Sequence, residues 1–356
     1  MSGVSNARVI VAGAGAFGSA IALRLAQTGA RVTLVDPDLG LASGASAVAA
    51  GMLAPAFESV LDPETNLSFD LLCAARDLWP AFAMRLGGAD IGFSQAGACW
   101  FDLPELEPRA SQIAQALRGI GARLAEPPAL PVLGAADLFT PEDWRLSPRL
   151  GLAALHGALR EAGGETVSAR VGHIDGAAAV LSDGERLEAD RIVLATGMAA
   201  TPLVPELSHL APIKGQILSY PDVRPRSGAP AIRCAGGYAA GGVDGLFVGA
   251  TMEIGLCDLA VDPATTQRLR ALAGRLNPEC PSRAPLAAAA VRAASPDGRP
   301  LVGPSRSHGV LLAAGARRNG WLLAPLVAQM IAAYLADADP GPCAPLFDPG
   351  RFDTDG

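Results

Sequence analysis

The chain has 356 residues, half of them hydrophobic and 18% charged, with a formal net charge of -7 at pH 7. That is enough apolar sequence for one large core or two domains, and it excludes a disordered chain despite 41 glycines and 29 prolines. No basic block, no CxxC pair and no apolar run of spanning length is present, which speaks against a nucleic-acid partner, a zinc or iron–sulfur site and a membrane span.

Arg8–Ala12 reads as a short buried strand that runs into Gly13-Ala14-Gly15-Ala16-Phe17-Gly18. Ser19–Gln27 has a helix pattern closed by Gly29, and Arg31–Val35 is a second strand ending on Asp36. Strand, glycine turn, helix, strand and acid form a dinucleotide-binding fingerprint. Gly13 permits the tight turn, Gly15 lets backbone approach a pyrophosphate, and Gly18 lets the helix pack closely. The helix N-terminus offers N–H groups to the diphosphate. Asp36 suits the ribose hydroxyls of the adenosine. A glycine turn in an unrelated α/β sheet is the bland alternative.

Gly40–Ala50 is a loop of small residues, including Ser43, that suits either tight helix packing or close approach to a flat ring system. Gly51-Met52-Leu53-Ala54-Pro55 closes it, and Phe69–Leu86 reads as one helix kinked at Pro80. Gly97–Phe101 is a strand, Pro104–Gly119 contains a helix, and Gly121–Pro131 is a loop. Pro141–Leu159 reads as the start and body of the next helix, with Asp143 as an acid of its first turn. Thr166–Val171 is a strand, 178–181 and 186–189 form a hairpin around Asp183-Gly184, and 192–197 is a buried strand with a small-residue exit at Thr196-Gly197. From Ile213 the texture changes to short strands with glycine turns, an antiparallel pattern. Pro263–Leu276 is a helix, Val310–Gly315 a buried strand and Trp321–Leu335 a final apolar helix. The tail after Asp339 is expected to be ordered only in part.

Four stretches carry a family resemblance: 9–18 with Asp36; Ala50-Gly51-Met52-Leu53-Ala54-Pro55; Pro212-Ile213-Lys214-Gly215-Gln216; and Arg292 with 296–303 and 314–325. Together they resemble the FAD-dependent D-amino-acid oxidase family, most closely its glycine oxidase branch linked to thiamine biosynthesis. The resemblance implies an α/β plus α+β fold, a Rossmann-type FAD-binding domain of the glutathione-reductase-like kind with a mostly antiparallel substrate domain. It places residues 1–85, 145–208 and 292–356 in the FAD-binding domain and 86–144 and 209–291 in the substrate-binding domain. It implies tightly held, non-covalent FAD, a small amino acid with a free carboxylate as substrate, oxygen or another acceptor, a cytoplasmic location and a homo-oligomer.

Residue by residue, the resemblance makes Arg318 a bidentate clamp for the substrate carboxylate, with Arg292 and Tyr238 near the same group and Met252 lining the small pocket. The cofactor is expected to meet Gly13, Gly15, Ala16, Phe17, Gly18 and Asp36. Beside the flavin come Ser43, Ala50, Gly51 and Met52, with Val171 at the adenine and Thr196 and Gly197 at the strand exit. Gly315, Arg317, Asn319, Gly320, Trp321 and Leu322 form the turn that feeds N–H groups toward the flavin's pyrimidine oxygens. The chain departs from the family at Ala316, where a His is usual, and in the small residues around Tyr238. Read without the family, Arg318 could be solvated, Arg292 could pair with a nearby carboxylate, and Tyr238 could be a core aromatic. Glu58 could order the pocket or lie in solvent, and no histidine has a partner pattern. The activity implied is oxidative deamination of glycine, sarcosine or a D-amino acid to the oxo acid with hydrogen peroxide. An FAD-dependent dehydrogenase with a non-oxygen acceptor, an NAD-only enzyme and a flavin-stabilised binding protein are the alternatives.

Overall fold

The computed structural model describes residues 5–39, 44–130, 133–199, 201–226 and 228–352. The chain divides into two compact units, 1–47 with 152–213 and 292–356, and 48–151 with 214–291.

The first unit is built on a six-stranded sheet in the order Leu301–Pro304, Val310–Ala314, Arg191–Leu194, Arg8–Ala12, Arg31–Val35, Glu165–Val167. Neighbours are parallel except Leu301–Pro304, which returns antiparallel on Val310–Ala314. Parallel strands are covered on both faces, which is why Val9–Ala12 and Ile192–Leu194 are continuous apolar runs. The helix Ala16–Gln27 exposes only Arg24 and Gln27 and packs on the last long helix, Gly320–Leu335. Gly18 lets the helix sit close on its own glycine turn: a Cβ there would run into the Gly13 carbonyl. A separate antiparallel sheet, Val171–Asp175, Ala178–Leu181 and Arg186–Glu188, shares a core with the main sheet through Val171, Ala179, Leu181 and Ile192.

The second unit carries an eight-stranded sheet. Its path is Glu253–Ile254, Ala211–Tyr220, Gly245–Gly249, Gly237–Gly242, Ala231–Cys234, Ala98–Phe101, Leu138–Thr140, with Leu286–Ala294 also paired to Ala211–Tyr220. Ala231–Cys234 runs parallel to Ala98–Phe101, and the pairs flanking those two strands are antiparallel. Helix Pro263–Leu276 is capped by Asp262, whose carboxylate accepts from the N–H groups of Ala264 and Thr265.

Residues 48–85 belong to the second unit, whereas the sequence places them with the nucleotide-binding part. The reason is pairing: Met52–Leu53 forms a two-stranded ladder with Trp144–Arg145, and the helix Pro55–Leu61 packs on Phe69–Arg76 and Ala110–Gly119. That helix is unexpected, because Pro55 reads as a stop; it occupies the first turn, where no N–H is missed. Pro80 likewise starts a helix, Trp79–Arg85, separate from Phe69–Arg76, so 69–86 is two helices rather than one kinked one. Asp143 does not sit in the first turn of the following helix, which begins only at Pro148. Instead its carboxylate accepts from the N–H groups of Ala56 and Phe57 at 2.8 and 3.2 Å, capping Pro55–Leu61. The tail forms the helix Ala344–Phe347 and a helical turn at Pro349–Phe352, held by Arg351 against Asp297 at 2.9 Å.

Candidate active site

In the first unit the glycine turn has the shape the fingerprint demands. Gly13 takes φ +102°, and a Cβ there would strike the Ala195 carbonyl. Its neighbour Ala14 donates its N–H to Asp36 Oδ2 at 2.8 Å, while Asp38 N–H reaches Oδ1 at 3.0 Å, so the acid at the strand end is aimed by backbone. Helix Ala16–Gln27 begins at Gly15, which carries no side chain to cap it. Ala16 N–H donates to Ser46 Oγ at 2.9 Å, and Trp321 Nε1 donates to the Ser46 carbonyl at 3.0 Å. Ser46 thus ties the first turn of one helix to the first turn of the other. The sequence singles out Ser43, which lies outside the described residues; Ser46 could have been found as the hydroxyl closing the same small-residue loop.

His156 is also a partner that sequence spacing does not show. It is buried on helix Pro148–Glu161, with Nε2 3.0 Å from Ser19 Oγ. Ser19 Oγ donates to the Ala14 carbonyl at 2.9 Å, so the imidazole stands behind the glycine turn. Burial holds the His156 pKa below its usual value, and Arg160 pushes the same way.

Thr196 and Gly197 follow the strand Arg191–Leu194, and the buried Thr196 Oγ1 has no partner. Val171 is buried in the first unit's core. The turn at 315–320 leads into helix Gly320–Leu335. Asn319 is its N-terminal boundary residue, 2% exposed, with no capping bond from its side chain and Nδ2 unpartnered. Trp321 and Leu322 lie buried in the first turn beyond it. The turn is tied to the strand before it: Arg317 N–H donates to the Ala293 carbonyl at 2.9 Å, and Ala294 bridges Ala316 in antiparallel sense. The pairing ends there, because the chain turns at 317–318 with Arg317 at φ +50°. Arg292 and Arg318 are each one residue from the Arg317–Ala293 hydrogen bond, and both are half-buried.

The second unit holds the other predicted residues. Ala50 and Gly51 are buried and Met52 half-buried. Gly51 takes φ +70° against the Leu146 carbonyl, where a Cβ would clash. Tyr238 is buried on Gly237–Gly242, opposite Gly249 on one side and Arg233 on the other. Its hydroxyl would stand 2.9 Å from a Cβ built on Gly249, so glycine there leaves room for the phenol to lie over the backbone. Met252 follows Thr251, which is fixed by Gln216 N–H to Thr251 Oγ1 at 2.9 Å and by Thr251 Oγ1 to Glu253 at 2.7 Å. Glu58 is buried and ion-paired with Arg233 at 2.9 Å, not solvated.

These features fit a flavin dinucleotide. The glycine cradle and uncapped helix start suit its diphosphate, and the buried, unpartnered Thr196 Oγ1 and Asn319 Nδ2 are polar atoms awaiting a ligand. Among the described residues no cluster of three or more candidate metal ligands occurs, and no helix is long and apolar enough to cross a membrane.

A family model described as FAD dependent oxidoreductase, DAO, matches residues 8–334. The chain is 29% identical to a glycine oxidase of Pseudomonas aeruginosa, over 95% of this chain and 98% of the relative. It is 31% identical to a bifunctional protein ThiO/ThiG of Synechocystis, over 97% of this chain but 54% of that protein, so it spans about half of that relative. The crystal structure of glycine oxidase from Geobacillus kaustophilus superposes with a TM-score of 0.82 at 25% identity, covering 98% of this chain and 100% of the other. The glycine turn, the aimed Asp36 and the uncapped start of Gly320–Leu335 all lie inside the stretch that the family model spans, and the chain belongs to the FAD dependent oxidoreductase (DAO) family, with FAD as its cofactor.

Proposed function

We propose that this flavoprotein oxidises glycine, sarcosine or a similarly small amino acid to the imino acid, which water hydrolyses to the oxo acid and ammonia or an amine. The observation that carries the reading is that one backbone hydrogen bond, Arg317 N–H to the Ala293 carbonyl, has Arg318 beside its donor and Arg292 beside its acceptor, just ahead of helix Gly320–Leu335. Held at the glycine turn and the start of Gly320–Leu335, FAD would supply the two-electron acceptor for the hydride leaving Cα, with oxygen as the final acceptor giving hydrogen peroxide.

The protein's own part is binding and orientation. The Arg318 guanidinium meets the substrate carboxylate through two parallel N–H bonds, and Arg292 adds positive charge to the same end. On the second unit, the Tyr238 hydroxyl is read as a hydrogen-bond donor to a substrate carboxylate. Met252 walls off a space for a small side chain and keeps water out. Holding the carboxylate fixes where Cα–H points, which is proximity and orientation rather than acid–base chemistry. An amine that binds neutral needs no protein base.

A place in thiamine biosynthesis is what the resemblance to the glycine oxidase branch implies, and the likeness to a glycine oxidase of Pseudomonas aeruginosa is in keeping with that branch. One observation favours a second reading, a dehydrogenase that passes electrons to a carrier: Ala316 stands at the turn where the family usually has His. The test is anaerobic mixing with glycine, sarcosine and a panel of D- and L-amino acids, followed by air. Bleaching of the flavin by glycine or sarcosine with fast return in air is the expected result. Slow return moves the function to the dehydrogenase reading, and no bleaching by any amino acid or amine removes both.

A further inference from the structure

A buried ion pair stands beside Tyr238. Arg233, on Ala231–Cys234, is directly opposite Tyr238 in the antiparallel register and opposite Trp100 on its other side. Opposed residues share a face, so Trp100, Arg233, Tyr238 and Gly249 make one row across the sheet of the second unit. Arg233 is 2% exposed, and its Nη2 donates to Glu58 Oε1 at 2.9 Å. Its guanidinium carbon lies 5.7 Å from the centre of the Phe57 ring, and its Nε is buried without a partner. Phe57 and Glu58 belong to helix Pro55–Leu61, which starts two residues after Leu53 of the strand Met52–Leu53. Asp143 holds the N-terminus of that helix through Ala56 and Phe57. The Arg233–Glu58 pair therefore fastens the stretch after Met52 to the row that carries Tyr238, while Asp143 holds the start of the same helix.

Stability does not account for this pair. Taking two charges out of water consumes most of what their attraction returns, and apolar side chains of similar volume do as well. The surroundings are apolar enough to accept them, since Phe57, Trp100, Ala98 and Ala231 share one core. What the pair supplies is direction: a planar guanidinium meets a carboxylate in few geometries.

We infer that Arg233 is a positioning residue, which with Glu58 fixes Tyr238 relative to the Met52 stretch and so sets how the substrate's carboxylate end is received. The inference rests on the reading of Tyr238 proposed above. The experiment uses FAD-loaded protein and acetate as a non-reacting carboxylate, with its affinity taken from the shift in flavin absorbance. The apolar double variant E58M/R233M is expected to stay yellow and to melt within about 5 °C of the wild type. Its acetate dissociation constant and its KM for glycine or sarcosine are expected to rise about tenfold, with kcat changed less, as for a misplaced binding group. Should the double variant fail to fold, Arg233→Lys keeps the charge and loses the fork, and the same two constants are expected to rise at least about threefold. A folded, yellow variant with both constants unchanged overturns the inference alone. Absence of any acetate effect on the wild-type flavin overturns the reading of Tyr238 as well.

Discussion

Ser19 has one hydroxyl proton and gives it to the Ala14 carbonyl, so the His156 imidazole donates its Nε2–H to Ser19 Oγ. Neutral and charged rings can both make that bond; burial first, then Arg160, disfavours the charged one. The sign follows. The folded pKa lies below the unfolded value of about 6.5, so the folded protein binds fewer protons, and stability is lost as pH falls below that value. Melting temperature and FAD retention are expected to drop as pH falls below about 6.5. His156→Gln, which keeps an N–H donor and cannot charge, is expected to flatten that part of the profile; an unaltered slope would remove the role. Arg318 makes the other prediction at this scale. Arg318→Ala is expected to weaken binding of the amino-acid substrate by about 2–5 kcal/mol, the cost of leaving a carboxylate without its buried partner. Steady-state kinetics with an unchanged KM would refute the clamp. Sequence shows an arginine on a glycine-flanked turn; it does not show that Arg317 N–H pairs with Ala293, the contact that has Arg318 beside its donor and Arg292 beside its acceptor.

Helix Pro55–Leu61 shows why some elements are visible in sequence and others not. The strand, turn, helix and strand of 8–36 are legible because glycine spacing and periodicity are local signals. Pro55–Leu61 is short, opens on a proline, and takes its cap from Asp143, 86 residues from Phe57 in sequence. No window along the chain contains both partners, so each is assigned to the wrong neighbour: Pro55 to a stop, Asp143 to the helix after it. The same long-range pairing moves 48–85 into the second unit. Asp143 carries a pH prediction of its own. Burial raises its pKa to about 7, against the pull of Arg233 and of the two N–H donors, with Glu58 adding to the rise. A folded pKa above the unfolded value of about 3.9 means that the folded state binds the extra proton, so this group's contribution falls as pH rises from about 4 to 7. Asp143→Asn stays neutral and is expected to lose that part of the pH dependence. Denaturant unfolding at about pH 5 and 8 checks it: the difference between variant and wild type should move in favour of the variant at the higher pH. A difference that is constant with pH would mean that Asp143 does not titrate in this range.

At the scale of the molecule, the first unit is assembled from three separated stretches of chain, 1–47, 152–213 and 292–356. Each stretch contributes to the nucleotide-binding features: the glycine turn and Asp36 from the first, Thr196 from the second, Asn319 and the start of Gly320–Leu335 from the third. A ligand that touches all three acts as a staple, because it binds only when they are together. Mass action then sets its worth at about 2.7 kcal/mol when FAD is at a hundred times its dissociation constant. The second unit has its own sheet and its own cores, with Trp100, Tyr238 and Phe247 in one and Leu218, Val248 and Leu269 in another, so its interior does not depend on that staple. Removing FAD is therefore expected to lower the melting temperature and to speed amide exchange unevenly. The largest losses should fall in 9–18, 193–197 and 315–323, with the strands Ala231–Cys234 and Gly245–Gly249 little changed. Hydrogen exchange on FAD-loaded and FAD-free protein measures this directly. Equal acceleration in both units would show that they unfold as one and that the cofactor stabilises the whole chain rather than the unit that presents the glycine turn.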